Sequence, residues 1–161
     1  MAILQSIYIV GCNFFNMRNW VQNVLTVHSF TILRISIGIV YLWFGVLKFF
    51  QGWSPAEELA KETIHILTFG LIPDMVAYTL LATWETLLGL LLISGFYLRY
   101  ALKIMLIHMI CTFTPLIFFP ALSFKNIPFG FSLVGQYIVK NIVFIGSALV
   151  LYSQVVKTKN S

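Results

Sequence analysis

Charge is scarce in this chain, and acid is scarcest. Only 9% of the 161 residues are charged and only five are Asp or Glu, where an ordinary soluble domain has roughly a quarter of its residues charged. With 60% of residues hydrophobic, the composition excludes a soluble globular domain and defines an integral membrane protein in a lipid bilayer. Ten Lys and Arg leave a net charge of +5. No basic run accompanies that excess, so nucleic acid is not an expected partner; a membrane protein gathers such cations on its cytoplasmic side. The two cysteines, Cys12 and Cys111, form no C-x-x-C, so dithiol redox chemistry lacks its residues and Cys111 is expected to be a buried small hydrophobe. Ile9-Val10-Gly11-Cys12 resembles a lipoprotein cleavage box, but no Lys or Arg precedes the apolar run, which argues against lipidation. His28 falls near the cytoplasmic edge and His65 outside the crossings. His108 therefore has no second histidine at its depth for a haem, and no metal-ligand spacing is present.

What is present begins with Phe30 to Phe50, long enough to cross a bilayer yet carrying Arg34 and Lys48. At the helical repeat Arg34, Gly38, Tyr41, Gly45 and Lys48 fall within an arc of about 80°, so one face is small or polar and the rest apolar. Small residues let a neighbouring helix approach closely, and charge in hydrocarbon needs a partner or water. The stripe therefore predicts an interior seam, although each cation taken alone is equally compatible with snorkelling to an interface.

The expected fold class is all-α: an integral membrane four-helix bundle with amphipathic interfacial helices before helix 1 and between helices 1 and 2. Met1 to Phe15 is apolar without clear periodicity. Met17, Trp20, Val21, Val24 and Leu25 then share a face opposite Arg18, Asn19, Gln22, Asn23 and Thr26, which predicts a short interfacial helix. Ser54, Pro55 and Glu57 have capping-box spacing, so a second interfacial helix should start at Pro55 and stop near Phe69, before Gly70 and Pro73. Further crossings are expected at about Met75 to Phe96, Ala101 to Phe119 with a kink at Pro115, and Leu133 to Tyr152. A loop with Phe124, Lys125, Pro128 and Gly130 precedes the last. The domain reading is an arm and interfacial helix over 1–29, the four-helix domain over 30–155 and a tail over 156–161. Arg18, Arg99, Lys103, Lys157 and Lys159 flank one side and Lys61 and Lys125 the other, which predicts that both termini are cytoplasmic.

The other crossings repeat the polar seam. Tyr78, Ala82, Glu85 and Gly89 share a face, as do Ala101, His108, Thr112 and Pro115, and as do Gln136, Lys140 and Ser147. At about 1.5 Å per residue, Tyr41, Glu85, His108 and Lys140 lie roughly 12 to 18 Å below the outer boundary. The candidate polar pocket is thus Tyr41, Lys48, Glu85, His108, Gln136 and Lys140, bordered by Arg34, Trp84 and Asn141. Within it Glu85 is expected to pair with Lys140, with Tyr41 or Gln136 as the next partner. Such a pair is either a structural lock or a working site.

Several of these segments resemble the DoxX family of small four-helix bacterial membrane proteins. They are Leu33-Arg34 with Gly38, Trp43 to Lys48, Ser54 to Ala60, Trp84-Glu85-Thr86 with Gly89, and Gly135 to Asn141; together they reach from about Phe30 to Tyr152. The resemblance implies a bacterial inner-membrane protein and, from the family's association with quinol-linked redox systems, an accessory subunit with at most a quinol-binding role. It implies no covalent cofactor and leaves the catalytic residues unknown; a quinone is the ligand it suggests, and in a quinol-binding reading of the pocket Lys140 and Gln136 would be donors, Glu85 the proton acceptor, and Tyr41 and Trp84 would border the ring. Relatives often carry an acid before Gly-Gln-Tyr where this chain has Val134, which removes a group that a proton or substrate path could use. Two other readings stand beside it: a structural or assembly subunit of a larger membrane complex, and a small carrier of protons or a polar solute.

Overall fold

A computed structural model describes residues 2–54, 57–126 and 129–160, with side chains over 21–54, 57–126 and 129–157. The described chain is almost wholly helical: α1 (Ala2–Leu47), α2 (Glu57–Leu67), α3 (Asp74–Ser94), α4 (Leu98–Cys111), α5 (Thr114–Phe118), α6 (Pro120–Ser123), a two-stranded antiparallel hairpin of β1 (Phe124–Asn126) and β2 (Gly130–Phe131), then α7 (Leu133–Val139) and α8 (Asn141–Asn160). Four segments are long and apolar enough to cross a membrane: Val21–Leu47, Asp74–Ser94, Leu98–Phe118 and Leu133–Lys157. The protein is an all-α membrane bundle.

The chain divides into two units, Met1–Leu33 and Arg34–Ser161. In the first, the backbone is helical throughout, with no break between the segment expected as a separate interfacial helix and Leu33. Thr26 donates its hydroxyl to the Gln22 carbonyl at 2.7 Å, one turn back, which satisfies that polar group without outside help. Leu25, Val27 and Ile32 are exposed. The predicted apolar partners Met17 and Trp20 lie outside the described side chains.

In the second unit, α4 packs against both α8 and α3. Ala101, Leu102 and Met105 of α4 and Ala148 and Leu151 of α8 are buried, as are Ala82, Leu88 and Leu92 of α3. The outside is as apolar as the inside: Leu80, Leu87, Leu90, Ile107, Ile110, Ile117, Ile142 and Val143 are all exposed. Such an exterior is suited to lipid rather than water. Because lipid offers apolar side chains the same environment as the core, helix association here depends on close packing and polar contacts rather than on removal of apolar surface from water.

Local chemistry explains the interruptions. Pro115 has no amide hydrogen to give the Cys111 carbonyl, and the Thr114 hydroxyl donates to that carbonyl instead, at 2.7 Å. The expected kink is therefore a break between α4 and α5. Cys111, beside the break, is exposed rather than buried, because it sits on the outer face of its helix. The segment expected as a plain loop holds the hairpin, in which the Phe124 and Phe131 rings pair at 5.0 Å. Ser132 caps α7 by accepting from the Gly135 amide, and a side chain on Gly135 would collide with the Ser123 carbonyl. The last crossing is divided at Lys140 into α7 and α8.

The second predicted surface helix is α2. Its expected start at Pro55 lies outside the described residues, and it ends at Leu67, ahead of Phe69 (φ 53) and Gly70 (φ 69) in left-handed conformations. Glu57 does not close a capping box. Its carboxylate accepts from the Gly52 amide at 2.8 Å and pairs with Lys61 at 2.7 Å, tying the start of α2 to the turn that follows α1. The helix lies against α3 and α5, with the Lys61 ammonium 5.5 Å from the centre of the Tyr78 ring and His65 2.9 Å from Asp74.

Candidate functional site

The site is built where α1 and α3 run closest. A Cβ on Gly89 would sit 2.5 Å from the Leu42 amide nitrogen, and one on Gly45 would sit 2.6 Å from the Thr86 amide nitrogen. Gly38 faces Gly89 in the same way, its would-be Cβ 3.1 Å from the Gly89 carbonyl oxygen. Hydrogen in place of a methyl at these positions brings the two backbones into contact. At the far end of this seam Arg34 donates to the Leu92 carbonyl at 2.9 Å, in the last turn of α3, where a cation also suits the negative end of the helix. Gly95 ends that helix at φ 80, and a side chain there would collide with the Arg34 guanidinium.

Because Gly45 rests on the backbone of Glu85 and Thr86, Lys48 stands within side-chain reach of Glu85. Its ammonium lies 2.5 Å from Glu85 Oε2. The second carboxylate oxygen, Oε1, is 3.6 Å from His108 Nε2 on α4. On the other side of that ring, Nδ1 is 3.3 Å from the Tyr41 hydroxyl of α1. A tyrosine hydroxyl both donates and accepts, so the direction of the Tyr41–His108 contact is set by which ring nitrogen carries hydrogen. The Tyr41 ring meets the His108 ring edge-on at 5.9 Å and the Phe144 ring of α8 at 6.2 Å. Lys48, Glu85 and His108 side chains each retain only 11–12% of their exposure. Both contacts of His108 are long, so the imidazole is the loosely held member of the row.

Four of the predicted pocket residues, Tyr41, Lys48, Glu85 and His108, therefore come together, and the other two do not. Lys140 does not reach Glu85: it stands at the break between α7 and α8, exposed, with its ammonium 5.1 Å from the centre of the Tyr137 ring. Gln136, one turn earlier, is also exposed. Depth counted along each helix favoured Lys140 as the partner of Glu85, but α3 extends past the end of α1, which brings Lys48 level with Glu85. Among the predicted border residues, Trp84 is on the outside of the bundle at 45% exposure. Arg34 is at the opposite end of the seam. Asn141 is nearer, donating to the Thr112 hydroxyl at 2.9 Å and so linking α8 to α4 one turn from His108. Thr112 and Phe144 belong to this neighbourhood and were not singled out as site residues; the spacing of Thr112 from His108 was their available signal.

Outside the crossings, the hydrogen bond from Lys61 and then that from the Gly52 amide hold the Glu57 carboxyl below the usual carboxylate range. The hydrogen bond to Glu57 raises Lys61 in turn. Among the described residues no group of His, Cys, Asp and Glu could hold a metal ion.

These features define a multi-pass membrane protein with a charged row inside its helices. The chain belongs to the DoxX family, whose profile matches residues 29–119. That match contains Tyr41, Lys48, Glu85 and His108 and ends before Gly135 to Asn141, the segment of resemblance in the last crossing. No curated protein and no solved structure matches the chain.

Proposed function

We propose that this protein is an accessory subunit of a quinone-linked redox process in a bacterial inner membrane, and that the Lys48–Glu85–His108–Tyr41 row receives a quinol head group. The observation that carries this reading is His108, held at 3.3 Å by Tyr41 and at 3.6 Å from Glu85, the slackest point of an otherwise paired row. A quinol oxygen needs donors and an acceptor in a dry setting. This row offers hydroxyl, imidazole and ammonium donors beside one carboxylate, so its donor set fits such a group. When bound, the quinone would supply the two-electron chemistry. The residues' part is to bind and to handle protons: Glu85 is the acceptor, Tyr41 orients the His108 ring, and Lys48 is the cation paired with Glu85.

Extraction in mild detergent and assay of the copurified lipid fraction test this reading. Quinone retained by the wild type and lost from a folded His108→Phe variant supports it. A stoichiometric protein partner with no quinone would favour the assembly reading, in which the row is a lock. Proton or solute flux into proteoliposomes would favour the carrier. The proposed orientation has both termini cytoplasmic, and cysteines introduced at Glu58 and Lys157 should then label from opposite sides.

A further inference from the structure

The opposite end of the bundle, where α4 begins, carries a second polar grouping that the quinol reading leaves unused. Arg99 and Lys103 are one turn apart on α4, which packs against α8, the helix that carries Tyr152. Like charges at this spacing repel. The chain's five acidic side chains, Glu57, Glu58, Glu62, Asp74 and Glu85, all lie in α2 or in α3 as far as Glu85, so none is placed to neutralise this pair. Among the described residues, Arg99 Nε is buried with no hydrogen-bond partner. Beside it Tyr97, Leu98, Arg99, Tyr100 and Val155 line an open cleft. Two cations with no acid at their end of the bundle thus stand next to a cleft.

The ligand class follows from charge and from what surrounds the cleft. A phosphate group offers several strong acceptors and the negative charge that this end lacks. The side of α4 that bears Lys103 continues as Ile107 and Ile110, each 64% exposed, while Tyr97 at 76% and Tyr100 at 63% flank the start of the helix. Exposed tyrosines at the end of a crossing mark the head-group level, and the isoleucines below Lys103 provide an apolar track for an acyl chain. We infer that Arg99, Lys103 and Tyr152 form a binding site for the phosphate of an anionic phospholipid, whose acyl chain lies along Ile107 and Ile110.

Titration of the detergent-solubilised full chain with phosphatidylglycerol, phosphatidylcholine or inorganic phosphate, read by native mass spectrometry, tests this site. Phosphatidylglycerol is expected to bind in preference to phosphatidylcholine. Arg99→Gln with Lys103→Gln should weaken it by about 30-fold, and Lys103→Gln alone by about fivefold. Because Lys103 is exposed, the single variant keeps the test valid if the double variant fails to fold. Lys125→Gln on the hairpin should leave binding unchanged. Equal binding of phosphatidylcholine, an equal loss in Lys125→Gln, or displacement of phosphatidylglycerol by inorganic phosphate alone would overturn the lipid site.

Discussion

Lys48 and Glu85 meet at 2.5 Å although one follows the end of α1 and the other lies twelve residues into α3. The glycine seam makes this possible by letting the two helices touch at Gly45. Removing one partner leaves the other charge buried and uncompensated. Lys48→Met alone should therefore cost about 3 to 5 kcal/mol of stability, while Lys48→Met with Glu85→Leu should recover most of it. Chemical unfolding in detergent micelles measures both. An additive loss in the double variant would mean that the pair does not couple.

Gly89 and Gly146 make a matched comparison. A methyl on Gly89 meets only backbone of α1, the nearest atom being the Leu42 nitrogen at 2.5 Å, whereas one on Gly146 meets nothing within 4 Å. Gly89→Ala should cost about 1 to 3 kcal/mol through forced separation of the helices. Gly146→Ala should be neutral or stabilising by up to about 1 kcal/mol, since alanine is the better helix former. Thermal unfolding of the two variants under one set of conditions decides the matter.

The attachment of α2 should depend on pH with a definite sign. Glu57 is held below its ordinary value of 4.5. Its contribution is therefore complete above that value and is lost as the pH falls through the lowered one. Lys61 is raised above 10.5, so its share is complete below that value and is lost as the pH rises through the raised one. Hydrogen exchange of the α2 amides should be slow between these limits and accelerate in acid. Glu57→Gln should remove the acid step; exchange indifferent to acid would contradict the assignment.

The first stripe was legible because glycine and charge at helical spacing leave few alternatives in lipid: Arg34, Gly38, Tyr41, Gly45 and Lys48 all face inward contacts. Glu85 and His108 were legible by the same expense of burying polar groups. The identity of Glu85's partner was not, since depth counted along separate helices says nothing of how far one slides past another. Pro115 announced an interruption, but the break at Lys140 contains no proline or glycine to mark it. That break leaves Gln136 and Lys140 exposed, and a periodicity drawn straight through them assigned them to the interior. The hairpin at Phe124 to Phe131 was missed because its strands are shorter than any alternation pattern can register.

The most direct test of the quinol-binding claim is titration of a short-chain quinol into the full chain in nanodiscs, followed by intrinsic fluorescence. Saturable binding is expected for the wild type, weakened by about tenfold in Tyr41→Phe, which loses one hydrogen bond to His108, and abolished in His108→Phe. Lys140→Gln, exposed and outside the row, should bind as the wild type does. Absence of saturable binding by the wild type, or equal affinity in folded His108→Phe, would contradict the account and leave the Lys48–Glu85–His108–Tyr41 row as a structural lock.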